Sequence, residues 1–269
     1  LGKATMKQHP GGKSPTWASV DSRVLGRLNI SMVDYKAPVE KPLRIVLSGE
    51  ENHDLGLYMR TPGKDLELIT GLLFNEGVIS GPRDISSIEI QDDVATVLMN
   101  DADVGFVLSH DRPFLVTGSC GVCGRRELHN HRKVDSEETV SQHRLHEYHK
   151  TAWDHQKLFE HTGGSHGAAA FDENGIMISI MEDVGRHNAM DKVTGQLVIE
   201  GKTPSVCVLS GRISYELVQK ALMTGFKVVS GVGSATTLAI QVAKENDLTL
   251  ISFSRGDRMT ILSAPRRVV

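Results

Sequence analysis

The sequence predicts an α/β protein: a largely parallel sheet covered by helices on both faces, with a smaller α+β unit ahead of it. Three observations carry that expectation. From about residue 166 onward, short apolar runs alternate with helix-length segments, the pattern of strands buried on both faces. Before about residue 100, apolar and polar residues alternate one by one around a single helical stretch, the period of half-buried strands. Between these regions lies a charged segment rich in histidine.

Taken in order, residues 1–23 are expected to be a disordered lead, because Leu1 to Trp17 is polar, holds Pro and Gly, and has no apolar signal-peptide core. The α+β unit is expected over 24–115. It opens with a strand from Val24 to about Asp34, then one over Leu43, Ile45 and Leu47, then one from Asp54 to Met59. Thr61-Pro62-Gly63-Lys64-Asp65 reads as a turn and helix start. Leu66, Ile69, Leu72 and Leu73 give the helix its apolar face. Ile85–Ile90 and Val94–Met99 form a hairpin about Asp92-Asp93.

Residues 116–142 hold a Cys-x-x-Cys stretch and a charged segment, with Asp135–Gln142 expected to act as hinge or mobile loop. The α/β domain then occupies 143–269. Leu145, Tyr148, Ala152 and Phe159 make one apolar stripe of a single helix ending at Gly163-Gly164, so the surrounding histidines read as its solvated face; a metal-binding tract is the alternative. Strands follow at Ala168–Phe171 and Ile176–Met181. Helices about 187–200, 214–224 and 235–245 then alternate with strands 206–210, 227–230 and 248–254.

Composition bounds the function. The chain has 269 residues, a 39% hydrophobic fraction, a net charge of -3 and three cysteines. That charge argues against a general nucleic-acid binder. Three cysteines make no disulfide framework and fit a reducing, cytoplasmic setting. No apolar run is long enough to span a bilayer.

The chemistry centres on Ser119-Cys120-Gly121-Val122-Cys123-Gly124-Arg125-Arg126. Nearby cations lower a thiol's pKa, and flanking glycines give access. Such a pair serves redox exchange, a metal half-site (here with His129 or His131), or carriage of a transferable sulfur. Cys207, inside an apolar strand, reads as buried and inert.

A second set of polar residues falls where ligands meet open sheets, at the carboxyl ends of strands. Asp183, Arg186 and His187 open one helix, Arg212 and Ser214 the next, and Phe253-Ser254-Arg255-Gly256-Asp257-Arg258 closes the last strand. His166 leads into the same edge. Glycines, arginines and helix N-termini together suit an anion, with Asp183 or Glu216 available to accept from a sugar hydroxyl or a guanine edge.

These residues resemble a known family. Glu182-Asp183-Val184-Gly185-Arg186-His187-Asn188-Ala189-Met190-Asp191-Lys192, the Cys120–Cys123 stretch, Thr162-Gly163-Gly164-Ser165-His166 and Gly211-Arg212-Ile213-Ser214-Tyr215-Glu216 are similar to motifs of the formate dehydrogenase accessory sulfurtransferase (FdhD-type) family. So are Met59–Gly63 and Gly71–Ile79, and the likeness covers about residues 24–263. The resemblance implies a sulfurtransferase that takes persulfide sulfur from a cysteine desulfurase. It would pass that sulfur to the molybdenum of Mo-bis(molybdopterin guanine dinucleotide), destined for formate dehydrogenase. It implies Cys120 as persulfide carrier with Cys123 as partner, Phe253–Arg258 as cofactor-binding segment, no permanent metal, and a homodimer. The helix–strand order also resembles a three-layer cytidine-deaminase-like core, without the cysteines of a deaminase zinc site. One departure is Thr236, where the family usually has Pro; it is expected to loosen a helix entry. A thiol–disulfide oxidoreductase and a non-catalytic cofactor escort are the rival readings.

Overall fold

A computed structural model describes residues 16–25, 30–49, 52–100, 133–256 and 258–269. Cys120, Cys123, His129, His131 and Asp257 lie outside the described residues. The chain begins with an antiparallel hairpin, β1 (Trp17–Leu25) and β2 (Ile30–Pro38). The first strand therefore starts inside the stretch expected to be disordered. Trp17 gives the reason: it packs against His161 and under the Lys36 ammonium, contacts with residues far along the chain or across the hairpin.

The α+β unit consists of β3 (Lys41–Ser48), β4 (His53–Arg60), α1 (Asp65–Asn75), β5 (Ile85–Gln91) and β6 (Val94–Met99). Its sheet runs β4-β3-β6-β5. The alternation in β3 works as read: Leu43, Ile45 and Leu47 are fully buried and meet Leu68, Ile69 and Leu73 of α1.

The second unit has α2 (Gln142–Asp154), α3 (Lys157–Thr162), β7 (His166–Phe171), β8 (Met177–Asp183), α4 (Arg186–Glu200), β9 (Val206–Leu209), α5 (Tyr215–Thr224), β10 (Val228–Gly231), α6 (Thr237–Glu245), β11 (Thr249–Arg255) and β12 (Arg258–Ser263). Its sheet order is β12-β11-β10-β9-β7-β8. Helices cover both faces, α2 on one and α4, α5 and α6 on the other, so the architecture is three-layer α/β/α with a smaller α+β unit.

Four details differ from the sequence expectation. Within this six-stranded sheet, among the described residues, only the β9–β10 and β10–β11 pairs are parallel, and antiparallel pairs flank them. The sheet is thus mixed, and β12, an exposed edge strand with little apolar patterning, was not anticipated. The single helix ending at Gly163-Gly164 is two helices, broken at His155 and Gln156. Thr236 does not loosen the start of α6. Its hydroxyl caps that helix, accepting from the Ala239 amide at 3.3 Å, as Ser141 does for α2.

Residues 133–142 are bound along their length. The fully buried Arg267 guanidinium donates to the Val134 and Ser136 carbonyls. Glu138 meets Ser205 and Lys227, and Val140 and Gln142 bond to the chain's last residues. A hinge at 135–142 has these bonds to break.

The two units meet where α1 crosses α4. A Cβ on Gly71 would lie 1.8 Å from the Asp191 carbonyl oxygen, and one on Gly195 would lie 1.8 Å from that of Glu67. Only glycine permits so close a backbone approach. Around this crossing, Lys220 pairs with buried Asp191, and Asn75 donates to Asp191 and Thr194.

Candidate functional site

Strand direction gathers the polar clusters onto one edge. β9, β10 and β11 run the same way, so Ser210-Gly211-Arg212, Val232-Gly233 and Ser254-Arg255-Gly256 leave the sheet together. Because β7 is antiparallel to β9, its first residue, His166, joins them, and it pairs with Asp183 at the end of β8.

On the α4–α5 side the groups hold one another. Asp183 is fully buried and accepts from Lys192 Nζ (2.7 Å), the Thr61 amide (3.0 Å), the Gly185 amide (2.9 Å) and Asn188 Nδ2 (2.9 Å). Those four donors occupy both oxygens, so Asp183 does not face a ligand as the sequence suggested. It pins the start of α4 to the α+β unit. Thr61 is itself set by the buried Arg60, which pairs with Asp65 and Asp93.

Next to it, His187 Nε2 lies 3.1 Å from Ser214 Oγ and 3.2 Å from Glu216, and Ser214 donates to Glu216 at 2.7 Å. Burial pushes the Glu216 carboxyl up, but the bonds from His187 and Ser214 outweigh it and hold it at about 2. His166 packs over Gly211, where a Cβ would meet its Nδ1 at 3.2 Å. Burial, then the charges of Arg186, His187 and Arg212, lower its pKa. Arg186 is half-buried, and its Nε has no partner among the described residues; Arg212 is exposed. The arrangement is cationic and faces outward from two helix N-termini, which suits phosphate.

On the α2 side the same edge borders a cavity of about 400 Å3. Ser254, Arg255 and Gly256 line it from β11, Ser210 from β9, and His146, His149, Lys150 and Trp153 from α2. Arg255 is steadied by its Nε–H bond to the Val232 carbonyl at 3.1 Å. His149 bonds Ser230 Oγ at 2.8 Å, and burial, with His146 adding, lowers it to about 4. It is therefore neutral at pH 7.

Phe253 stands half-exposed with φ +52°, at a break in the β11–β12 register. A left-handed aromatic residue is a strained one. Arg258 is exposed and pairs in register with Arg255. Cys207 is fully buried 3.8 Å from Met190 Sδ, and burial alone drives its thiol pKa up, so it is inert. Among the described residues no cluster of three or more His, Cys, Asp or Glu is arranged to hold a metal.

The sequence reading missed His146, His149, Lys150, Trp153 and Gln156. Their signal was present: 146, 149, 150 and 153 share one helical stripe. That stripe was read as solvated because the apolar stripe beside it accounts for the core.

This chain has recognisable relatives. Residues 38–269 match the FdhD/NarQ family model. The chain belongs to the FdhD/NarQ family. A sulfur carrier protein FdhD of Saccharolobus solfataricus is 38% identical over 86% of this chain and 90% of its own length. Its counterpart from Picrophilus torridus is 37% identical over 94% and 99%. The fold is also that of a crystal structure described as a formate dehydrogenase accessory protein from Desulfotalea psychrophila, with a TM-score of 0.79, 22% identity, and coverage of 95% of this chain and all of that one. Among the described residues no helix is long and apolar enough to cross a membrane.

Proposed function

We propose that this chain is a cytoplasmic sulfur carrier serving formate dehydrogenase, with Cys120 as carrier and Mo-bis(molybdopterin guanine dinucleotide) as the substrate held at the sheet edge. The carrying observation is the convergence of Ser254, Arg255, His166, Arg186, His187, Arg212 and Ser214 on that edge. A cofactor of that size offers several phosphates, and the edge offers guanidinium groups and two helix starts to meet them. The names of its relatives support the sulfur-carrying role.

The Cys120 thiolate attacks the terminal sulfur of a cysteine desulfurase persulfide. A new S–S bond forms and the donor leaves as its thiolate. If Cys123 then attacks the inner sulfur of the Cys120 persulfide, the products are a Cys120–Cys123 disulfide and one sulfide, which carries the electron pair needed for delivery to a metal.

Mass spectrometry tests the carrier step. After incubation with a cysteine desulfurase and cysteine, Cys120 gains about 32 Da, the mass of one sulfur, and a reductant removes it. An unmodified Cys120 in a chain that still binds the cofactor points instead to an escort that never carries sulfur.

A further inference from the structure

We infer that Thr61 is a positioning residue for the sheet edge: held by the α+β unit, it sets where α4 begins and so where Arg186 and His187 stand. This rests on the reading of that edge as the ligand-binding surface. It gives a task to the Met59–Gly63 motif, which the sulfur-carrying role leaves without one.

Thr61 is 2% exposed and turns every polar group it has toward the β8–α4 connection. Its amide donates to Asp183 Oδ2 at 3.0 Å, its Oγ1 accepts from the Val184 amide at 3.1 Å, and its carbonyl accepts from Lys192 Nζ at 2.9 Å. Close by in the chain, the Met59 carbonyl accepts from Asn188 Nδ2 at 2.8 Å. These partners bracket Arg186 and His187 on both sides.

The start of α4 has little of its own to hold it. Its N-cap is Gly185, which offers no side-chain cap, whereas Ser141 and Thr236 cap α2 and α6 from within their own sequence. The first N–H groups of a helix need partners, and those partners fix how the helix begins. Asp183 serves the Gly185 amide, but Asp183 is itself held by Thr61.

Thr61 is in turn fixed from behind. Pro62 restricts the backbone of the residue before it to extended conformations. Arg60 is buried, and its guanidinium donates to Asp65, Asp93 and the Lys41 carbonyl. The position of the first turn of α4 is thus referred to the sheet of the α+β unit. His187 reports that position, because its Nε2 lies 3.1 Å from Ser214 Oγ and 3.2 Å from Glu216. Burial pushes the Glu216 carboxyl up while the bonds from His187 and Ser214 hold it at about 2, so a displaced His187 lets it rise.

The test compares Thr61→Val, Thr61→Ser and Ile45→Val in the full chain. Thr61→Val keeps the shape but removes the oxygen that accepts from Val184. Thr61→Ser keeps that oxygen. Ile45→Val deletes a buried methyl group from the core of the same unit and lowers stability without touching these bonds. In Thr61→Val, GDP affinity by calorimetry should fall about fivefold, the factor of one ordinary hydrogen bond, and Glu216 should titrate higher by carbon NMR. Thr61→Ser should stay within about twofold of the unaltered chain, and Ile45→Val should move neither readout. If Thr61→Val loses stability in urea but binds GDP as before, or if Ile45→Val weakens GDP equally, Thr61 is structural only and the inference is overturned. If the unaltered chain does not bind GDP, the reading of the edge fails, and the Glu216 titration alone decides whether Thr61 sets the start of α4. Where Thr61→Val does not fold, Asn188→Ala, which cuts the bonds to Met59 and Asp183, takes its place with the same expected and overturning results.

Discussion

On the α4–α5 side of the sheet edge, Asp183 accepts from four protein donors and Glu216 accepts from Ser214 and lies against His187. On the α2 side, Gln156 Oε1 and His146 Nε2 are buried without a partner among the described residues. At this edge the carboxylates of the α4–α5 side are engaged by protein donors, while Arg186 Nε on that side and Gln156 Oε1 and His146 Nε2 on the α2 side are left without a partner among the described residues. Thr61 of the α+β unit and the first turns of α4 meet on Asp183, and this contact fixes the geometry of that helix start. The α2 side keeps polar atoms that an ordered water or a ligand would satisfy.

The largest test of that contrast falls on the α4–α5 side. Lys192→Met removes the cation paired with buried Asp183 and the donor to the Thr61 carbonyl, leaving the carboxylate with three uncharged N–H donors. Unfolding in urea should show a loss of about 3–5 kcal/mol. A loss below 1 kcal/mol would mean that Asp183 is free to relax toward solvent and does not pin the start of α4.

The next test uses pH on the α2 side. His149 has a folded pKa of about 4 against about 6.5 when unfolded. Between those values the unfolded chain binds the extra proton, so stability rises with pH through this window and is fully present above it. The shift corresponds to about 3 kcal/mol. Stability measured from pH 4 to 7 should lose most of this slope in His149→Gln. An unchanged slope would place the titrating group elsewhere.

A smaller effect belongs to ligand contact rather than folding. Arg255→Ala should weaken GDP binding by about 1.5 kcal/mol, the low end for a charged hydrogen bond because the group is exposed, with urea stability unchanged. Equal GDP affinity in the variant would move the phosphates toward Arg186 and Arg212.

How much of this was readable from the sequence follows from the range of the interactions. β3, β4, α1, β5 and β6 were legible because their period is local, and the helix–strand order after residue 166 was legible for the same reason. The gathering of His166, Arg186, Arg212 and Arg255 at one edge also followed, since strand direction places them. Asp183 was misjudged although Gly185, Asn188 and Lys192 lie close to it in sequence; only Thr61, 122 residues away, was beyond a local reading. The break at His155 and Gln156 carries neither Gly nor Pro. The leftover acceptor on Gln156 depends on a helix carbonyl and on Gly167, which only packing brings together. The Cys120–Cys123 pair lies outside the described residues and stands on sequence alone.

The smallest expected effect separates scaffold from binding within the α4–α5 side itself. Ser214 donates to Glu216 and lies 3.1 Å from His187 Nε2. Ser214→Ala removes one of the donors that hold Glu216 at about 2. Burial, which acts in the opposite direction, remains. The carboxyl pKa should therefore rise, visible in a carbon NMR titration of Glu216. Because a depressed carboxyl stabilises the fold above its unfolded pKa and loses that contribution as pH falls through the folded one, the variant should be about 1 kcal/mol less stable at pH 7. The deficit should shrink as pH drops toward 2. GDP affinity distinguishes the two roles: if it stays unchanged, Ser214 belongs to the scaffold. If it falls together with the pKa shift, the hydroxyl also meets the ligand, and the boundary between the two sides lies nearer α5 than the hydrogen bonds indicate.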